Sequence, residues 1–219
     1  MRKLTVSVVL LAALAATLPL PAAKRKKTAS PPGVFSYYLL TLSWAPDFCA
    51  QPGNPKNPAE CGVGKKVGFV VHGLWPQADN ARGPENCGHA SPVAANIVQL
   101  MLNYIPTASL IQHEWAAHGT CSGLNVADYF AAVRKARDSV IIPDQFKAPG
   151  QTQSLSPSAI EAAFAAWNPR FPPAAFRTSC TAGELQEARI CFAKDLSPQA
   201  CTPSAGECNL PSLTVLPVH

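Results

Sequence analysis

Apolar residues change their spacing several times along this chain, and each change marks an element. Val34 to Trp44 is dense in aromatic, β-branched and Leu residues and reads as a buried strand. Val67 to His72 reads as a second strand that ends where Gly73 turns the chain. Ala94 to Tyr104 has helical spacing, with Ile97, Leu100, Met101 and Tyr104 on one side. Leu110 to Gly119 reads as a helix with Gly119 as its stop. Asn125 to Val140 is a further helix, and Ser156-Pro157 opens another through Trp167, with Pro157 suited to the first turn. Leu185–Lys194 and Leu213–Val218 are strand-like. Residues 45–64 and 76–92 are rich in Pro, Gly and Asn and read as loops, the first placed to be pinned by Cys49 and Cys61. Strands and helices do not alternate strictly. That order predicts an α+β domain with a central, mainly antiparallel sheet packed by helices.

The N-terminus reads differently. Met1-Arg2-Lys3 is basic, Leu4 to Leu20 is almost wholly apolar, and Pro21-Ala22-Ala23 is small. This predicts a secretory signal peptide over 1–23, followed by a basic, Pro-containing linker over 24–33. The apolar run, about 17 residues, is short for a membrane anchor. The expectation is a secreted or periplasmic protein with no stable membrane association after signal cleavage. The remaining segment, 34–219, suits one domain. No internal repeat or second boundary is visible, and a monomer is the default.

Charge narrows the function. The whole chain carries +5, yet residues 28–219 hold 12 basic and 13 acidic side chains and are near −1. A globally basic surface for nucleic acid is absent, so any phosphate recognition is local to a cleft. The chain has 8 cysteines, an even count that implies a disulfide framework in an exported protein. No Cys-x-x-Cys occurs, which disfavours a zinc ribbon or a thioredoxin-like motif. Spacing alone does not choose among the pairings.

Histidine carries the candidate chemistry. His72-Gly73-Leu74-Trp75-Pro76 presents one imidazole at a strand end, with an aromatic three residues on. His113-Glu114-Trp115-Ala116-Ala117-His118-Gly119-Thr120-Cys121 puts His113, Glu114, Ala117 and His118 on one broad helical face. A zinc protease motif does not fit. It needs histidines at i and i+4, and here they stand at i and i+5, about 140° apart around a helix. Two histidines on separate elements suit acid–base cleavage of RNA. One takes the 2′-OH proton and the other protonates the departing 5′ oxygen, because a pKa near 6.5 keeps both forms populated. A cation must also hold the phosphate as charge builds. No metal or cofactor is expected, and DNA, lacking the 2′-OH, is not expected to be cut.

These two blocks resemble the active-site segments of the ribonuclease T(2) family. Tyr37–Trp44 followed by Cys49, and Ile190–Asp195, extend the resemblance over most of residues 34–210. It implies an endoribonuclease of low base specificity acting on single-stranded RNA, with a 2′,3′-cyclic phosphate opened to a 3′-phosphate. It implies His118 as general base, His72 as general acid, and His113 and Glu114 on the phosphate. Trp75 would bind substrate by stacking a base. It also implies the disulfides Cys87–Cys121, Cys49–Cys61 and Cys180–Cys208, with Cys191–Cys201 nested inside the last. One departure stands out. The family commonly carries Lys two residues after the Trp of the second segment, and this chain has Ala117. Reduced activity, a substitute cation such as Lys65 or Lys66, or a protonated His113 are the three readings. An inactive binding protein on the same fold has Ala117 as its only support. His89 and His219 read as solvated. Trp44, Trp115 and Trp167 read as core.

Overall fold

A computed structural model describes residues 31–54 and 57–218. The predicted signal segment, and the linker up to residue 30, lie outside the described residues, as does His219. Among the described residues, six strands form one sheet: β1 (Tyr37–Trp44), β2 (Phe69–Gln77), β3 (Gln153–Leu155), β4 (Phe176–Thr181), β5 (Glu184–Phe192) and β6 (Leu213–Val215). β2, β1, β5 and β4 lie side by side, all antiparallel. β6 joins β5 in parallel through Glu184 and pairs with β3. The mainly antiparallel α+β reading holds.

Helices pack this sheet: α1 (Ala45–Ala50), α2 (Pro58–Cys61), α3 (Ala95–Met101), α4 (Ala108–Ala117), α5 (Val126–Asp138) and α6 (Pro157–Trp167). The three longest begin on side-chain caps. Thr107, Asn125 and Ser156 accept from the backbone N–H groups of Leu110, Asp128 and Ala159, each satisfying a donor the helix leaves free. α1 and α2 fall in a segment whose composition reads as loop. Pro46 starts the first, Asn57 caps the second, and Cys49–Cys61 ties them together. β4 was not expected either, because Phe-Arg-Thr-Ser-Cys-Thr is mostly polar. It forms because β5 offers it an edge.

The two faces of the sheet differ. One carries Tyr38, Leu40, Leu42 and Trp44 of β1 with Ala188, Ile190 and Phe192 of β5, and packs on Trp115, Tyr129, Phe130 and Phe164 of the helices. Burying each large apolar side chain contributes about 1.5–3 kcal/mol, so this layer holds the fold. The opposite face carries a small cluster of Tyr37, Leu39, Cys191 and Ala205, with Trp75 against it. The polar residues of β1 and β5 also point there. Trp44 and Trp115 are core as expected, but Trp167 is not: it is 40% exposed at the end of α6, with the Lys147 ammonium 5.4 Å from its ring centroid. The cysteines pair as Cys49–Cys61, Cys87–Cys121, Cys180–Cys208 and Cys191–Cys201. No helix among the described residues is long and apolar enough to cross a membrane.

Candidate active site

His72 does not stand at a strand end. β2 runs on through Gly73 to Gln77. Thr41 faces Gly73 and Leu42 faces Val71, so His72 has no residue opposite in β1. One extra residue in one strand is a β-bulge, which re-aims a side chain. The bulge, not a chain terminus, turns the His72 imidazole toward the smaller face of the sheet. Gly73 has a different task from the turn expected of it. A Cβ there would overlap the Glu114 carboxylate and the Trp75 indole nitrogen, so glycine lets both groups approach the β2 backbone.

α4 delivers the second half. The helix ends at Ala117, and His118 is its C-cap, with φ −119° and ψ −43° and its N–H donating to the Glu114 carbonyl. Gly119 then opens a tight turn, Gly119–Cys121, and is not a left-handed cap. A Cβ at Gly119 would run into the Trp115 ring and Tyr129. Close packing, not helix termination, is what glycine supplies there. The turn is tied to the loop after β2. Cys121 is bonded to Cys87, the Thr120 hydroxyl accepts from the Cys87 N–H, and the Asn86 N–H donates to the Ala117 carbonyl.

Trp75 joins the two halves. Its Nε1–H donates to Glu114 Oε2 at 2.8 Å. Its ring stacks on His118, with centroids 4.9 Å apart and planes 26° from parallel, and meets His72 edge-on at 5.1 Å. Glu114 Oε1 lies 3.7 Å from His72 Nε2. His72, Trp75, Glu114 and His118 are thus brought together. His113 is not: it is exposed at the rim and reaches the group only through its field on His118. The helical-face reading treated 113, 114, 117 and 118 alike, but His118 has left the helix and His113 faces solvent.

Two site residues come from β5 and were not anticipated. Glu187 is buried, and its Oε1 is 2.8 Å from His72 Nδ1. Its Oε2 accepts from Arg189 Nε and Nη2 at 2.9 and 2.7 Å and from the Ser179 hydroxyl. Arg189 Nη1 also donates to the Ala205 carbonyl. In sequence, Glu-x-Arg within a strand reads as a solvated face. Only the pairing of β1 with both neighbours, which sets Thr41 between Gly73 and Arg189, shows that this face meets His72.

The environments push the ionisable groups apart. Burial opposes charge on His72, but its hydrogen bond to Glu187 and the fields of Glu114 and Glu187 outweigh that, and its pKa is raised. Burial, with the fields of His72, His113 and Arg82, pushes His118 down to about 3. Burial raises Glu114 to about 7, against the pull of His72 and the Trp75 hydrogen bond. Glu187 stays below the usual carboxylate range. Burial would raise it, but the hydrogen bond to His72 and the charge of Arg189 prevail. The two imidazoles are therefore pushed in opposite directions, His72 toward its charged form and His118 toward its neutral form. His118 Nδ1 and Glu114 Oε1 are buried without a hydrogen-bond partner among the described residues, a cost of about 1–3 kcal/mol each of the kind tolerated at functional sites.

Two cavities flank the group. One of about 230 Å³ is lined by Trp75, Gln77, Arg82, His118, Arg189 and Ser204. The other, about 220 Å³, is lined by Ser43, Asp47, Gln51, Asn54, His72 and Glu187. Positive charge beside His118 thus comes from Arg82 and Arg189. Lys65 and Lys66, offered as substitutes for the missing lysine, are exposed and line neither cavity.

A disulfide-stapled α+β protein thus holds two imidazoles with pKa values pushed in opposite directions, one of them lining a cavity with Arg82 and Arg189. The family model described as the Ribonuclease T2 family matches residues 35–201, and the chain belongs to that family. It is similar to a ribonuclease of Aeromonas hydrophila, 39% identical over 44% of this chain and 42% of that one. Among solved structures it is similar to an RNase-related protein from Calystegia sepium (TM-score 0.64, 23% identity, 84% of this chain and 98% of that one). It is also similar to ribonuclease MC1 from bitter gourd seeds (TM-score 0.56, 27% identity, 75% and 92%). The chain spans less than half the length of the curated relatives it matches first.

Proposed function

We propose that the protein is an endoribonuclease that cleaves single-stranded RNA by transphosphorylation. The observation that carries this reading is the pair of imidazoles held against one indole, with pKa values pushed in opposite directions. His118, neutral, takes the proton of a ribose 2′-OH. The 2′ oxygen bonds to phosphorus, and the bond to the 5′ oxygen breaks. His72, charged, gives that oxygen its proton, so the products are a 2′,3′-cyclic phosphate and a 5′-OH. Water then opens the cycle to a 3′-phosphate with the two roles reversed. Glu114 lies against the phosphate position, and Arg82 and Arg189 supply positive field that Ala117 does not. His113 adds charge at the rim when protonated. Trp75 orients the histidines and offers its exposed part to a base. No proton transfer requires a metal.

The family membership supports an RNA substrate. Residues 34–219 act as the catalytic domain of a monomer, secreted or periplasmic once segment 1–23 is removed, with no membrane association. DNA is left intact for want of the 2′-OH, and base preference is low.

The test is digestion of RNA by purified protein in EDTA across pH 4–8. Cleavage in EDTA is expected throughout the acid side. Because His118 is pushed down to about 3, its neutral form is present across this range. Because His72 is raised above its ordinary 6.5, its charged form is present at acid pH and is lost as pH rises through that higher value. Activity should therefore be flat on the acid side and fall as pH rises through the raised His72 value. Folded protein that cleaves nothing at any pH would end the enzyme reading.

A further inference from the structure

We propose that Glu187 is a positioning residue for the proton donor, fixing the orientation and the charge of His72, and that Arg189 fixes Glu187 in turn. This inference rests on the reading of His72 as the general acid. The contact runs along one line: guanidinium to carboxylate by two hydrogen bonds, then carboxylate to imidazole by one. Both oxygens of Glu187 are committed, Oε1 to His72 and Oε2 to Arg189 and Ser179. A carboxylate with all its contacts fixed cannot turn away, so the ring it holds cannot rotate either. With Nδ1 occupied by Glu187, the His72 proton offered to substrate is the one on Nε2, the nitrogen that faces Glu114.

The bulge makes this arrangement necessary. A bulged residue lacks the ladder contacts that hold its neighbours, and His72 has no residue opposite it in β1. The side chain must be fixed from elsewhere, and β5, one strand beyond β1, does so. Arg189 is anchored independently. Its Nη1 donates to the Ala205 carbonyl, and a Cβ on Gly206 would press on the same guanidinium nitrogen. The segment that follows Cys201, which is tied to β5 through Cys191, thereby holds the far end of the line.

Every charged group that acts on His72 enters the prediction. Glu114 of α4 and Glu187 favour its charge, and Arg189 opposes it. Glu60 of α2 and His118 also share a field with it. Removing one charge while keeping the shape gives a signed result. Glu187→Gln keeps an amide oxygen for Nδ1–H but removes the negative charge, so the His72 pKa should fall by about 1–3 units. Arg189→Gln removes a positive charge and should move it upward. The experiment is NMR titration of the His72 imidazole in wild type and both variants, paired with the pH dependence of kcat/KM on RNA. The expected result is opposite shifts in the two variants, mirrored by the alkaline limb of the rate profile, with the KM of Glu187→Gln within about threefold of wild type. A His72 titration unmoved in both, or moved the same way in both, overturns the proposal. If Glu187→Gln does not fold, Glu187→Asp, which keeps the charge and shortens the reach to Nδ1, decides: a lowered His72 titration supports the proposal and an unmoved one overturns it. The imidazole titration needs no RNA, so it stands even if the protein proves inactive. In that case the ribonuclease reading fails, and the titration still decides whether Glu187 and Arg189 set the charge of His72.

Discussion

Alanine at His118 or at His72 should lower kcat/KM for RNA by about 10²–10⁴-fold, the range that a single positioned acid or base contributes. The two variants should lose similar amounts, and the double variant little more. Residues that act as a unit are grossly non-additive, since removing either ends the concerted transfer. The structure adds a difference between them. His118 stacks on Trp75 and is buried at the end of α4, so its loss opens space behind the indole. His72 is part-exposed and held by Glu187, so its loss leaves a buried carboxylate with only Arg189 and Ser179. His72→Ala should therefore be the more destabilised in thermal melts as well as inactive. Steady-state assays at pH 5 check the first claim. Activity of either variant within tenfold of wild type would remove that histidine from the mechanism.

Breaking Cys87–Cys121 should produce the largest loss of stability. The bond closes a sequence separation of 34 residues, for which the chain-entropy account gives about 3–4 kcal/mol. In a domain of this size that is a fall in Tm of roughly 10 °C. The double variant Cys87→Ala, Cys121→Ala avoids a stray thiol. Activity at 25 °C should fall too, because this bridge fixes the turn that carries His118 to the loop after β2. Two hydrogen bonds across the same junction, Asn86 N–H to the Ala117 carbonyl and Cys87 N–H to the Thr120 hydroxyl, keep it partly ordered. Calorimetry and a turnover assay read both effects. A Tm within about 2 °C of wild type would show that those bonds suffice without the bridge.

The sheet's buried strand and the three longer helices were visible in the chain because each carries a long run of one period. Tyr37–Trp44 is apolar along the whole of one face and half of the other, and Val126–Asp138 follows a capping Asn with apolar residues at helical spacing. The short elements were not. β3 has three residues and no face to bury, and β4 is polar enough to pass for loop. Helices α1 and α2 depend on Pro46, on the Asn57 cap and on a disulfide, inside a segment whose composition says turn.

The site divides in the same way. His72, Trp75, Glu114 and His118 lie in two compact blocks whose residue types announce proton transfer. Their placement was less legible. A bulge depends on the partner strand's register, and nothing in β2 itself reports that Thr41 and Leu42 will straddle His72. Glu187 and Arg189 were missed because alternation on a strand tells which residues share a face, not what covers that face. The source of positive charge shows the limit of counting. With the body of the chain near neutral, Lys65 and Lys66 were nearest in sequence to His72, whereas Arg82 and Arg189 share a cavity with His118.

The central claim is that His118 and His72 move protons so that a 2′ oxygen displaces a 5′ oxygen at phosphorus. It is tested most directly by product analysis on a short oligoribonucleotide carrying one 2′-deoxy residue, digested in EDTA and followed by phosphorus NMR and mass spectrometry. Cyclic 2′,3′-phosphate should appear first and convert to 3′-phosphate, with no cut after the deoxy residue. Cleavage after that residue, or 5′-phosphate ends, would contradict the mechanism.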